Sequence, residues 1–168
     1  MMRWIQIFLF LFLGALIQLE LPPITFLGGM KPPVVMALVI YYAMHVSAKE
    51  LKVAVCWAAL LYEGLEFGTI GPGILTFALL AWAVYRVRFE IFVDGLGTQG
   101  LFGVLGGIVL VLIAAILYGL THQRPFQLGL LFRQLFGAGV LGMITLPLVC
   151  FLVHHFEALF PEKRGGGW

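Results

Sequence analysis

Residues 100–120 read GLFGVLGGIVLVLIAAILYGL, twenty-one positions without one charged side chain. A helix needs about 20 apolar residues to cross the hydrocarbon of a bilayer, so this stretch sets the solvent in which the fold must be understood. The rest of the chain agrees. Of 168 residues, 62% are hydrophobic and 11% charged, with a mean hydropathy of +1.06. Soluble domains run at about 45–50% apolar and about 25% charged. Too few polar side chains exist here to coat a water-facing globule. The composition is that of an integral membrane protein.

Outward from this segment lie five more apolar stretches, giving six in all. Trp4–Leu19 comes first, interrupted by Gln6 and Gln18; Met1-Met2-Arg3 before it resembles a secretory signal, but no small-residue cleavage site follows, so it counts as a helix. The Pro/Gly-rich run Leu21–Pro33 cannot continue it. Val34–Ala48 is the second, closed by Lys49-Glu50-Leu51-Lys52. Val53–Tyr62 is short unless it extends through Glu63 and Glu66 to Phe67. Ile74–Val87 is the fourth, and Leu135–Val153 the sixth, with Pro147 predicting a kink by removing a donor from the carbonyl of Met143. The expectation is an all-α, six-segment transmembrane bundle over residues 1–160, with 161–168 a short cytoplasmic tail. Segments three and four either cross fully or form a re-entrant hairpin.

Lysine and arginine set the orientation. With six crossings, Arg3, Lys49, Lys52, Arg86, Arg88, Lys163 and Arg164 share one side, and Lys31, Arg124 and Arg133 the other. Seven against three places both termini in the cytoplasm. A net charge of +2 offers no basic patch for nucleic acid. Cys56 and Cys150 both lie in apolar stretches, so no disulfide framework or zinc knuckle can be drawn. One serine (Ser47), one aspartate (Asp94) and seven scattered glutamates supply neither a nucleophile elbow nor a carboxylate cluster for hard cations. An enzyme is the minority reading; no cofactor or metal is expected.

Several residues still ask for a role. Gly95-x-Gly97-x-x-Gly100 is a literal dinucleotide fingerprint behind strand-like Glu90–Val93, but the glycines open a membrane helix and no acidic residue follows at the required distance. His154-His155-x-Glu157 lacks a third metal ligand and reads as an interfacial helix end. Gly100, Gly103, Gly107 and Ala114 share one narrow helix face, and Ala138, Gly142 and Thr145 another. Such small-residue faces let helix backbones approach closely, either within the bundle or at a partner interface. Glu63 and Glu66 share a face at i and i+3. They either sit in water at the outer interface, or satisfy amides of the Gly68–Gly73 turn, or serve ligand or proton chemistry with His45 as partner. Charge within a membrane segment makes a functional role the default hypothesis.

With these residues laid out, the chain resembles the rod shape-determining MreD family. Lys31-Pro32-Pro33-Val34 is similar to the family's basic residue and proline ahead of the second helix, with Pro33 at a position that is usually polar. Leu60-Leu61-Tyr62-Glu63, then Gly68-Thr69-Ile70-Gly71, then Ile74 through Tyr85-Arg86-Val87-Arg88 is similar to its apolar run ending in an acidic residue, glycine turn and basic-ended helix. Glu63 stands where the family usually has Asp. The resemblance covers residues 31–92 at motif level. It implies a non-enzymatic scaffold of cell-wall elongation in the bacterial inner membrane. The implied partners are MreC directly, and MreB and RodA–PBP2 through the complex, with a homodimer as an open alternative. It also implies an architecture like that of the S-components of energy-coupling-factor vitamin transporters, which form the rival functional reading. In that reading Glu63, Glu66 and His45 would line a ligand cavity. Many S-components dock their coupling subunit through A-x-x-x-A on the first helix; here Ile5 through Leu13 is bulky, with only Gly14-Ala15 small.

Overall fold

The computed structural model describes residues 2–65, 72–89, 95–120 and 128–159. Six helices account for most of them: α1 Met2–Glu20, α2 Val34–His45, α3 Ala48–Leu65, α4 Pro72–Val87, α5 Leu96–Leu120 and α6 Leu128–Leu159. A single 3₁₀ turn, Thr25–Leu27, interrupts the α1–α2 connection. The described residues are thus all-helical, with one isolated β-bridge between Ile24 and Met30.

α2 is the centre. A helix that is apolar all round has no face to give to solvent and must be buried on every side. Val35 through Met44 are all buried, and α2 touches each of the other five helices. Around it, Gln18 meets Val35 while Gly14 faces Leu38 and Val34, so α1 runs antiparallel to α2. Tyr62 against Phe77 and Glu63 against Ile74 make α3 and α4 antiparallel.

The closest approach is between α5 and α6, which are also antiparallel. A methyl group built on Gly103 would overlap the carbonyl of Gly142, and one on Gly107 the carbonyl of Ala138. Gly106, one residue round the helix, lies instead on Met36 and Ile40 of α2. The small-residue faces of both helices therefore meet each other inside the chain. Gly100 looks across at Met143 from the same seam, and Ala114 is half-buried farther along.

A third close contact fixes the α1–α2 connection. Gly28 and Gly29 take the left-handed conformation at φ 73° and 74°, which only glycine adopts freely. That reversal sets Leu27 on α6, where its carbonyl lies over Gly137 with no room for a side chain. Arg133 Nη2, one turn away, donates to the carbonyls of Thr25 and Phe26 at 3.3 and 3.2 Å.

Three boundaries differ from the sequence expectation. Lys49-Glu50-Leu51-Lys52 does not close the second segment; it is the first turn of α3. Ser47 and Glu50 form a capping box, with Ser47 N and Oγ donating to Glu50 Oε2 at 3.0 and 2.9 Å, which starts a new helix immediately after Val46. α5 begins about a turn earlier than Gly100, at Leu96, so Gly97 is also helical. α6 begins at Leu128, and it carries Arg133 within the helix and continues across Pro147.

Among the described residues, only α5 and residues 128–156 of α6 are both long and apolar enough to cross a membrane. Trp4–Glu20, Val34–His45 and Gly73–Val87 are apolar but shorter. The outer surface is nonetheless apolar: Phe8, Phe12, Trp82, Leu101, Phe136 and Phe151 are among many large side chains left exposed.

Replacing Gly103 or Gly142 by Leu should force α5 and α6 apart and cost about 2–3 kcal/mol. Gly97→Ala, where nothing lies within 4 Å, should be neutral or stabilising by up to about 1 kcal/mol. Denaturant unfolding in detergent, followed by circular dichroism, measures both. Equal stability of the three variants would remove the seam from its structural role.

Candidate functional site

Inside an apolar bundle the groups that need partners are the unbonded amides and carbonyls at helix ends. Several of the described polar side chains lie at those ends. At the start of α2, Pro33 occupies the cap position and offers no side-chain acceptor. Gln18, buried on α1, fills the role: its Oε1 accepts from Val35 N at 3.0 Å. Lys31 works in the other direction, its Nζ donating to the carbonyl of Leu19 at 2.9 Å in the last turn of α1. α1 thus completes the start of α2, and the connection between them completes the end of α1, with Pro32 accepting from Val34 N through its carbonyl.

Glu63 does the same for α4. Its Oε1 accepts from Ile74 N at 3.3 Å, in the first turn of the helix. A carboxylate there also meets the positive end of the helix dipole. Gly73 lies tight against it: an added methyl would stand 3.3 Å from Glu63 Cγ and 3.0 Å from a ring carbon of Tyr62. Glu63 thus bonds a backbone amide just beyond the glycine turn. Its neighbour Glu66, with Gly68 and Gly71, lies outside the described residues, as do Glu90–Asp94, His122 and Arg124.

His45 is not brought to Glu63. It is the last residue of α2, with Nδ1 at 2.9 Å from the carbonyl of Tyr41 and its ring stacked on that tyrosine. Arg88, just beyond the end of α4, approaches the same corner, whereas Glu63 sits at the start of α4. The length of α4, about 24 Å, lies between them.

Arg88 closes the other end of α2. Its Nη1 donates to the carbonyls of Val46 at 2.7 Å and Ala43 at 3.3 Å. The guanidinium packs over the rings of Tyr85 and Phe89, 4.1 and 4.6 Å from their centroids. The two arginines at this end of α4 part ways: Arg86 is exposed, but Arg88 is half-buried and turned onto α2. Sequence reasoning missed Gln18, Arg88 and Arg133 as capping groups because each acts on a segment distant in the chain.

At the far end of α6, His154 and His155 are exposed, and the ring of His155 stacks with Phe151. Among the described residues no three His, Cys, Asp or Glu side chains converge on one point. The chain matches no protein-family model, no curated protein and no solved structure.

Gln18→Leu leaves Val35 N–H buried without an acceptor and should cost about 1–3 kcal/mol. Glu63→Gln keeps an oxygen for Ile74 N and should cost less than Glu63→Leu, which loses about 1 kcal/mol of capping. Amide hydrogen exchange at Val35 and Ile74 reports each loss locally. Unchanged protection in Gln18→Leu and Glu63→Leu would show that these side chains do not cap.

Proposed function

We propose that this chain is a non-enzymatic, multi-pass scaffold of bacterial cell-wall elongation, similar in kind to the MreD proteins, and that it binds MreC directly. In this reading it resides in the inner membrane with both termini cytoplasmic and six segments crossing. The observation that carries the reading is the use made of its two motif charges. Lys31 and Glu63 each bond a backbone group at a helix end, as befits residues that hold a rigid body in shape.

Two further features support it. The ends of α1, α2, α3, α4 and α6 alternate, so that Lys49, Lys52, Arg86 and Arg88 gather at one end of the bundle and Lys31 and Arg133 at the other. That segregation suits the positive-inside distribution. The short central helix is no obstacle to crossing. Irregular backbone is tolerated at membrane depth where it is packed against protein, and the α1–α2 connection is held on α6 by Arg133 and Gly137. The small-residue seam is occupied by α5 and α6 themselves, so MreC would have to meet another surface.

The test is affinity purification of the tagged chain from native membranes in mild detergent, with partners identified by mass spectrometry. Recovery of MreC and elongation proteins is the expected result. Co-purification instead with an energy-coupling subunit, or tight retention of a vitamin, would replace the scaffold with the transporter reading.

A further inference from the structure

The corner between α2 and α3 holds a feature that helix capping does not use up. An open hollow of about 430 Å³ is lined by Met44, His45, Val46, Ser47, Arg88 and Phe89. Arg88 lies in its wall, half-buried and bonded only through Nη1, to two carbonyls. Its Nε is buried without a hydrogen-bond partner, and no carboxylate among the described residues pairs with it. Glu50, a described acidic residue near this corner, is drawn in on Ser47 by the capping box. Lys49 and Lys52 stand exposed on the adjoining turn of α3.

A guanidinium fixed between aromatic rings, with an unbonded buried donor and no counter-ion among the described residues, is prepared for a planar or tetrahedral oxyanion. Buried donors left unbonded require an explanation. We infer that this hollow is a phosphate-binding site, centred on Arg88 with His45 on its rim, and that it takes a phosphate ester. The ester is either the headgroup of an anionic phospholipid or a soluble phosphate. The lipid source rests on the membrane placement proposed above; the phosphate chemistry does not.

The chain is purified in nonionic detergent, and dioleoylphosphatidylglycerol is added to the micelles. Native mass spectrometry counts the lipid retained, while phosphorus NMR follows inorganic phosphate in a parallel titration. Arg88→Gln removes the cation, His45→Glu leaves Arg88 in place but sets a carboxylate on the rim, and Arg86→Gln controls for surface charge. The expected result is one phosphatidylglycerol retained by the unmodified chain and by Arg86→Gln. Affinity should fall about tenfold in Arg88→Gln and His45→Glu, the loss of one charge-assisted contact. If Arg88→Gln fails to fold because α2 loses its cap, His45→Glu decides alone. Binding of inorganic phosphate with the same variant dependence assigns the site to a soluble ester and equally upholds it. Retention that is equal in all four proteins, or absent from the unmodified chain in both titrations, overturns the site. Neither result depends on whether MreC is recovered, so the two proposals fail separately.

Discussion

The two ends of α2 are the constraint around which this molecule is organised. A helix keeps its interior bonds, but its first amides and last carbonyls need partners from outside the helix. At the first end, the missing acceptor comes from Gln18; at the last, the missing donor comes from Arg88. Both lie on other helices, α1 and the end of α4. Satisfying α2 therefore fixes how α1 and α4 stand beside it, and the central helix determines the arrangement of its neighbours through polar bonds as well as packing.

The second organising contact is steric. Where two backbones approach closely, many atoms come into van der Waals contact along one line. Gly103 against Gly142 and Gly107 against Ala138 bring α5 and α6 together on one line. Gly106 presents the next face of α5 to α2, and Gly137 presents the next face of α6 to Leu27. Glycines adjacent on the helix surface thus serve different neighbours within the chain.

Much of this was legible from composition and periodicity, and the failures have specific causes. The apolar runs located α1, α2, α4 and α5 to within a turn or so, because burial in an apolar bundle demands apolar residues whatever their partners. The start of α3 was hidden because Lys49, Glu50 and Lys52 look like a loop, although Ser47-x-x-Glu50 is itself a helix-start signal. α6 was cut short at its polar residues, where Arg133 in fact stays helical and reaches across to Thr25 and Phe26. The paired faces of Gly103, Gly107, Ala138 and Gly142 could be read from spacing, but which helix each faced could not. Glu63 could be marked as unusual; that it would reach eleven residues ahead to Ile74 depended on how the turn between α3 and α4 folds.

The uneven helix lengths follow from the same physics. α2 rises about 18 Å and α6 about 48 Å, so elements of very different reach share one bundle. A short central helix would leave its flanking chain without partners if that chain stood alone. Here the flanking chain reverses at Gly28 and Gly29 and is laid on α6, where Arg133 takes two carbonyls and Gly137 leaves room for the backbone of Leu27. The extra length of α6 is thus the surface that makes the shortness of α2 tolerable. A long helix beside a short one is a division of labour: one supplies the reach, and the other fills the centre.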